Sequence, residues 1–556
     1  MKNAHAILLV IVCCFGCKKN ESGTNTPPVP ATPIQLQSAS HNGHPASLTA
    51  TSYAVAPAAQ WRIRFSNKLD RSTVNSAISI TESNGSTVPY STGYQNADST
   101  LLLTATAPLK HLTRYSITCG TSLKAANGRM LASAFALPFV TAIDSSNKFP
   151  LISNDSLLTL VQRQTFEYFW SFAHPVSGLA RERNSSGDVV TSGGSGFGIM
   201  AIPVGIERHF ISRAQGLQRM QTIVSFLKNT AVKVKGAFPH WLHGATGAIV
   251  PFSANDNGAD LVETAYLMMG LLTARQYFNA ADAAETALRS DINSLYHAVE
   301  WDWFRNGNQQ VLYWHYSPTV GWAMNMPIRG WNECLITYVL AASSPTHAVP
   351  VSVYQQGWKG AGGYTNGNTY YGYTLPLGPA MGGPLFLSQY SFLGINPINL
   401  TEGGIDFFTQ NKNHALIHYQ YCKANPAGHH GYSAKVWGLT ASDIEGGYTA
   451  SSPTNDVGVI APTAALASMP YTPAESMEAL KFYYYVLGDK LWKQYGFVDA
   501  FSLNKPWIAD SFLAIDQGPI ILMIENYRSA LLWNLFTSCP EIKTGMQNLG
   551  FAAPYL

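Results

Sequence analysis

Hydrophobic and polar positions follow two different rhythms along this chain, and the change falls near residue 150. Between about 35 and 143, short runs alternate with a period of two, as in Trp61-Arg-Ile-Arg-Phe65, Ile78-Ser-Ile80, Leu101-Leu-Leu-Thr-Ala105 and Tyr115-Ser-Ile-Thr118. Such runs are strand-forming, and Asn84-Gly85 and Asn127-Gly128 between them are turn signals. A small β-sandwich is expected over 35–143.

From Leu151 the period lengthens. Leu157 to Trp170 places apolar residues at 158, 161, 165/166 and 169, one face of a helix. Further helices are expected near 196–210, 213–229, 259–279, 281–300, 331–342, 382–394, 402–423, 457–469, 473–487 and 519–536. Some, such as 213–229 and 281–300, are amphipathic. Others, such as 261–272, 334–342 and 519–524, are apolar nearly all round and must be covered on every side. Alternation of the two kinds over 150–556 predicts a double ring of helices, an (α/α)6 barrel, so the fold class is mainly α with an all-β module in front. In such a barrel the loops leading into the inner helices gather at one end.

Composition narrows the function. The 556 residues are too many for one ordinary domain, and 46% hydrophobic residues are enough for a large core. Only 12% are charged, while 13 Trp and 28 Tyr suit a neutral polar ligand held by stacking and hydrogen bonds. The net charge of +3 and the lack of a basic run argue against nucleic acid as a partner.

Residues 1–17 read as a targeting segment: Met1-Lys2, an apolar run from Ile7 to Val12, and Cys14-Phe-Gly-Cys17. The apolar run is too short to span a bilayer. A lipoprotein signal with lipid attached at Cys17, or an ordinary secretory signal, both fit, and both export the protein to the periplasm or to a membrane reached only through the anchor. Residues 18–34, rich in Ser, Thr, Asn and Pro, read as a flexible tether. Cys119, Cys334, Cys422 and Cys539 lack the spacing of a disulfide framework or metal knuckle.

The candidate chemistry lies in carboxylates set just where apolar helices begin. Asp260 and Glu263 open Asp260-Leu-Val-Glu-Thr-Ala-Tyr, Glu333 follows Gly330-Trp-Asn, Asp456 precedes Val457-Gly-Val-Ile, and Asp516 precedes Gly518-Pro519. A carboxylate beside so much hydrocarbon is costly unless paired, hydrogen-bonded or used. Helix capping by acids in the first turn is the competing reading; for Asp260 and Asp516 it is as good as a functional one. Glu333 is the sharpest case, because Arg329, Trp331 and Asn332 could orient it and the following helix bears no other charge. A proton donor needs a raised pKa, for which Asp260 and Glu263 are the nearest cause. Asp516 is expected in the loop entering its helix, where it could accept a proton from water, with Asp443 and Asp456 as reserves.

Three other features carry less. Thr191-Ser-Gly-Gly-Ser-Gly-Phe-Gly198 lacks the strand and Lys-Ser/Thr of a phosphate loop, and reads as a tight turn against the cleft floor. His414 and His418 are four apart but lack the Glu of a zinc helix, so core or cleft histidines are expected, with no metal and no cofactor. Among the many aromatics, Trp303, Trp314, Tyr371 and Trp437 are candidates for lining a sugar groove, others being core.

Phe169 to Arg181, Thr191 to Ala201, Pro239-His-Trp241, Asp260-Leu-Val-Glu-Thr264, Ile328-Arg-Gly-Trp-Asn-Glu333, Trp437 to Asp443 and Ala514 to Ile520 together resemble the glucoamylase-like domain of glycoside hydrolase family 144. The segment before it is similar to bacterial Ig-like modules. The resemblance implies an (α/α)6 barrel acting on β-1,2-glucans with inversion at the anomeric carbon. Glu333 then fits the general acid, Asp260 and Glu263 the essential acidic pair, and Asp516, by analogy with a related fungal family, the base. Arg329, Trp331, Asn332, Asp443 and Asp456 fall among the substrate contacts. The module before the barrel resembles the arrangement in an exo-acting member that releases sophorose from the non-reducing end, and endo-glucanase action is the alternative. A non-catalytic glycan-binding lipoprotein is the reading from another class. A monomer is expected.

Overall fold

The computed structural model describes residues 32–360 and 362–556, in two units that meet between Ala142 and Ile143. The expected signal, with Cys17 as its expected lipid-attachment site, lies outside the described residues.

The first unit is a two-sheet sandwich. Strands β1 (Leu36–His41), β2 (His44–Pro45), β3 (Ser52–Val55) and β4 (Gln60–Phe65) lead to a short helix α1 (Val74–Ala77). Strands β5 (Ile78–Glu82), β6 (Tyr90–Gln95), β7 (Thr100–Ala105), β8 (Arg114–Cys119) and β9 (Phe135–Thr141) follow. One sheet runs β2-β1-β4-β7-β6 and the other β3-β9-β8-β5, antiparallel except for β3 with β9. The alternation of β4 is obeyed: Trp61, Ile63 and Phe65 point into the core, and Arg62 and Arg64 point out. The unit reaches back into the expected tether, because Ile34 is fully buried and bridges to Leu131.

The second unit is mostly helical. Its helices are α2 (Asn154–Trp170), α3 (Ser192–Glu207), α4 (Arg213–Asn229), α5 (Leu261–Tyr277), α6 (Ala283–His297), α7 (Leu335–Ser343), α8 (Phe407–Ala424), α9 (Pro462–Leu466), α10 (Pro473–Lys481), α11 (Gly488–Leu491), α12 (Ala514–Ser529), α13 (Leu531–Thr537) and α14 (Pro540–Asn548). The two expected kinds are present. Helix α5 is buried throughout except at Gln276, and α3 is buried from Ser192 to Gly205. By contrast α4 and α6 bury one stripe each and start from polar caps, Ser212 with Gln215 and Asp282. No helix among the described residues is long and apolar enough to cross a membrane.

The glycine-rich stretch is corrected: it forms the first half of α3 rather than a turn. Tertiary crowding overrides glycine's poor helix propensity. A Cβ on Gly196 would lie 2.2 Å from the Tyr266 carbonyl oxygen, and one on Gly270 would lie 2.2 Å from that of Gly196. The backbones of α3 and α5 therefore touch, which only glycine permits.

Residues 382–394 do not form the expected helix. They form two 3-10 turns, Leu385–Ser388 and Ser391–Leu393. Gly382 and Gly383 have φ of +92° and +72° and Pro384 follows, a sequence that stops α-helix on its N-terminal side. Short strands tie the helix-leading loops together. Strand β10 (Val189–Thr191) pairs with β11 (Trp241–His243), which pairs with β12 (Ile249–Val250), and β13 (Ala259–Asp260) pairs with β14 (His315–Tyr316).

Candidate active site

Asp260 divides its two oxygens between capping and the site. Its Oδ1 accepts the N–H groups of Val262 and Glu263 at 3.0 and 2.9 Å, closing the start of α5. Its Oδ2 lies 3.0 Å from His240 Nδ1 and 3.5 Å from His315 Nε2, the residue opposite it in the β13–β14 register. Asp256 Oδ2 approaches the same two nitrogens at 3.6 and 3.4 Å. Burial alone would raise Asp260, but hydrogen bonds from His240 and His315 and their charges hold it below the usual carboxylate range. Burial would likewise lower both histidines. The charge of Glu263 and the bonds to Asp256 and Asp260 outweigh it at His240, and Asp260 and Asp256 do so at His315, so both pKa values rise. The donor atoms of His240, Asp256 and Asp260 lie within 4.8 Å of one another, a spacing a cation could use. With both imidazoles protonated, the four side chains already balance in charge.

Glu263 stands one turn further along α5. Its Oε2 accepts the Gly193 N–H at 2.6 Å and the Thr191 hydroxyl at 3.2 Å. Burial pushes its pKa up, His240 opposes this, and the Asp260 charge adds to it. A Cβ on Gly193 would sit 2.6 Å from that oxygen, so the glycine opens the space the carboxylate fills.

Glu333 does not cap α7. No side chain does; just before the helix, Asn332 Oδ1 accepts the N–H of Cys334, the N-cap residue, at 2.9 Å. The Glu333 carbonyl accepts hydrogen bonds from Ser391 and Tyr266, fixing the backbone. Its side chain is half-buried. Burial, only partly offset by its own N–H, and the charge of Asp260 push its pKa up to about 7. That is a carboxyl poised to give or take a proton near neutrality.

Asp516 is corrected in position: it lies in the first turn of α12, not in the loop before it. The helix begins five residues before Pro519 and carries it inside. Asp516 is 1% exposed, and burial, then Asp499 and Asp443, raise its pKa well above the ordinary value. Asp499 is 2% exposed and is raised to about 7, chiefly by burial. Asp443 holds this group in place. Its N–H donates to Asp499 Oδ2 at 2.7 Å, while its carboxylate accepts from Arg183 Nη1 at 3.2 Å and from the Ser511 hydroxyl at 2.5 Å.

Of these groups Glu263, His240 and Arg183 line a cleft of about 460 Å³, together with Trp241, Phe252, Phe386, Tyr390, Tyr448 and Ile515, the neighbour of Asp516. Tyr390 lies close enough to be perturbed by both Asp516 and Glu333, which ties the two acidic clusters together. Phe252 and Tyr448 are about half exposed, 51% and 50%, and Phe252 stacks on His240 at 4.3 Å. A second hollow of about 530 Å³ shares Arg183 and Tyr448 and adds Asp443, Trp507 and Asp510.

Several expected contacts fall elsewhere. Trp437 is fully buried, with its ring N–H bonded to the Glu475 carbonyl at 3.3 Å, so it is core and not cleft. Trp331 is 4% exposed and packs on Phe392, Phe407 and Tyr364, again core. Asp456 is held by the hydroxyls of Tyr421 and Tyr432 at 2.9 and 2.8 Å and by His429 at 3.4 Å, a separate cluster beside α8. Tyr371 is exposed at the turn between β15 (Thr365–Tyr370) and β16 (Tyr373–Leu377). Trp303 joins Tyr316 and Trp322 in an aromatic group at 4.7 and 4.8 Å. The Trp314 carbonyl accepts the Leu261 N–H at 2.8 Å, at the start of α5. Arg329 is exposed, and its carbonyl accepts from Asn332 at 3.4 Å. His414 and His418 are fully buried and both bond the Gly383 carbonyl, as core histidines do.

The residues that sequence reasoning missed are Asp499, His240, Asp256, Phe252, Tyr390 and Tyr448. Asp499 had a usable signal, a lone acid inside the apolar run Phe497-Val-Asp-Ala-Phe501. The others converge only through loop packing.

A mostly helical domain with a protonatable carboxyl and fixed acids close to an aromatic-walled cleft has the parts a glycoside hydrolase uses. A family model described as "Putative glucoamylase" matches residues 325–540, and a bacterial Ig-like domain matches 44–141. The exo β-1,2-glucooligosaccharide sophorohydrolase (non-reducing end) of Parabacteroides distasonis is 44% identical over 427 residues, 73% of this chain. The chain spans 59% of that relative's length. The endo-β-1,2-glucanase structure from Chitinophaga pinensis, with sophorotriose and glucose, is 50% identical, with a TM-score of 0.71 over 73% of this chain and 100% of that one. A β-1,2-glucanase structure from Parabacteroides distasonis is 37% identical, with a TM-score of 0.70 over 93% of this chain and 73% of that one. The chain belongs to the glucoamylase-like family of glycoside hydrolases, the family 144 type, with an Ig-like domain ahead of it.

Proposed function

We propose that this protein hydrolyses β-1,2-linked glucan or its oligosaccharides by a single displacement with inversion. The observation that carries the reading is Glu333: a half-buried carboxyl with a pKa of about 7 that caps no helix and feels the charge of Asp260. Glu333 gives its proton to the glycosidic oxygen as the bond to the anomeric carbon breaks. Water attacks the opposite face, and its proton passes to Asp516. Inverting chemistry leaves ~6.5–9.5 Å between acid and base for that water. Because Asp516 is buried, a sugar hydroxyl is the fitting relay. Asp260, held by His240, raises the proton affinity of Glu333, and Glu263, held by Gly193, lines the cleft as an acceptor for sugar hydroxyls.

The same reading takes the alternation of buried and half-wet helices as an (α/α)6 barrel over 150–556. It takes release of sophorose from the non-reducing end as the action. Both Parabacteroides distasonis relatives support the substrate, and the structural match over 93% of this chain extends into the N-terminal module. The Chitinophaga pinensis relative favours the endo alternative. The reading also places the protein, as a monomer, in the periplasm or on a membrane through Cys17. Chromatography of products from linear β-1,2-glucan, beside laminarin, lichenan and starch, tests it. A single disaccharide from the β-1,2-glucan alone is expected. A ladder of sizes indicates endo action, and turnover of another glucan instead contradicts the reading.

A further inference from the structure

Beside the cleft, the buried carboxyl groups of Asp499 and Asp516 lie close enough to perturb one another directly, and three of their four oxygens have no hydrogen-bond partner. A carboxylate offers only acceptors, so two of them can bond only when one carries a proton. Among the described residues there is no alternative donor. Asp499 Oδ2 takes the Asp443 N–H, while Asp499 Oδ1 and both Asp516 oxygens are buried with no protein donor. Buried acceptors are left without donors only at substantial cost. We propose that Asp499 and Asp516 share one proton and titrate as a single unit, with Asp499 the positioning residue that sets the proton affinity of Asp516.

The inference rests on Asp516 being the base, and it resolves how so buried an acid can serve. With one proton between them the pair keeps one negative charge. When water attacks the sugar, its O–H bond breaks, the proton reaches Asp516 through a hydroxyl, and the pair becomes a neutral diacid. That second proton returns to solvent after the product leaves. The groups facing the pair are Asp443, Arg183, Tyr168, Tyr390 and Tyr448. Arg183 is the one cation among them and is already paired with Asp443 and Glu182. It therefore does not strip the shared proton. Tyr390 and Tyr448 also line the cleft, so phenol hydroxyls stand between the pair and the sugar.

The test is Asp499→Asn, whose amide oxygen can keep the Asp443 N–H while its nitrogen donates permanently to Asp516. Two readouts are taken at an unchanged melting temperature: the pH profile of kcat/KM, and the infrared band of protonated carboxyl at neutral pH. The acidic limb is expected to move down by about one pH unit or more, because the neighbouring charge that raises Asp516 is gone. The protonated-carboxyl band is expected to weaken relative to the unsubstituted protein. An unmoved limb with an unchanged band overturns the proposal. So does a variant that is folded yet inactive at every pH, which makes Asp499 itself the acceptor. Band loss in a protein that cleaves no β-1,2-glucan supports the pair while the substrate reading fails.

Discussion

His240 Nδ1 lies 3.0 Å from Asp260 Oδ2, while the other Asp260 oxygen caps α5, so one carboxylate anchors a helix and holds an imidazolium at once. This contact keeps a fixed negative charge facing Glu333, and that charge is one of the two reasons the Glu333 pKa is raised. The electrostatics of the acid are thus set two residues away from it, through His240 and Asp260.

Asp260→Asn removes that charge and lowers the Glu333 pKa from about 7 toward the ordinary carboxyl value. The protonated form then disappears at lower pH. The alkaline limb of the kcat/KM profile is expected to move to lower pH, beside a loss of rate. A limb that stays in place removes Asp260 as the cause.

Stability should fall with rising pH through the same contact. His240 has a folded pKa above its ordinary value of ~6.5. Its contribution is therefore fully present below that value and is lost as pH rises through the raised one. His315 acts in the same direction. Melting temperatures measured from about pH 6 to about pH 9 should decline, and His240→Gln should flatten the decline.

Much of this arrangement was legible in the chain. The Asp260-Leu-Val-Glu motif, the apolar α5 behind it and the bare Glu333 before α7 all stand where periodicity put them. What could not be read is which way a ring faces or which loops meet. Trp437 has the composition of a sugar platform and is sealed in the core, whereas Phe252, in an unremarkable loop, is exposed at the cleft. The glycines of α3 read as a turn because propensity says nothing of the backbone of α5 lying against them. Asp443, expected among the substrate contacts, lines the second hollow and also donates its N–H to Asp499, a bond no pattern in the chain announces.

The aromatic correction is itself testable. Phe252→Ala should raise KM about tenfold with kcat little changed, since a stacking surface contributes roughly 1–1.5 kcal/mol to binding alone. Trp437→Ala should cost about 3–5 kcal/mol of stability, seen by denaturant unfolding. A Trp437 variant that keeps its stability but loses substrate affinity contradicts the assignment to core.

Glu333 as proton donor is the step on which hydrolysis turns, and the hydrolysis rate of linear β-1,2-glucan by Glu333→Gln measures this directly. The expected result is a fall in kcat of at least about 10²–10⁴-fold, with glucan binding and melting temperature retained. A folded variant that still turns over within about tenfold of the unsubstituted protein contradicts it.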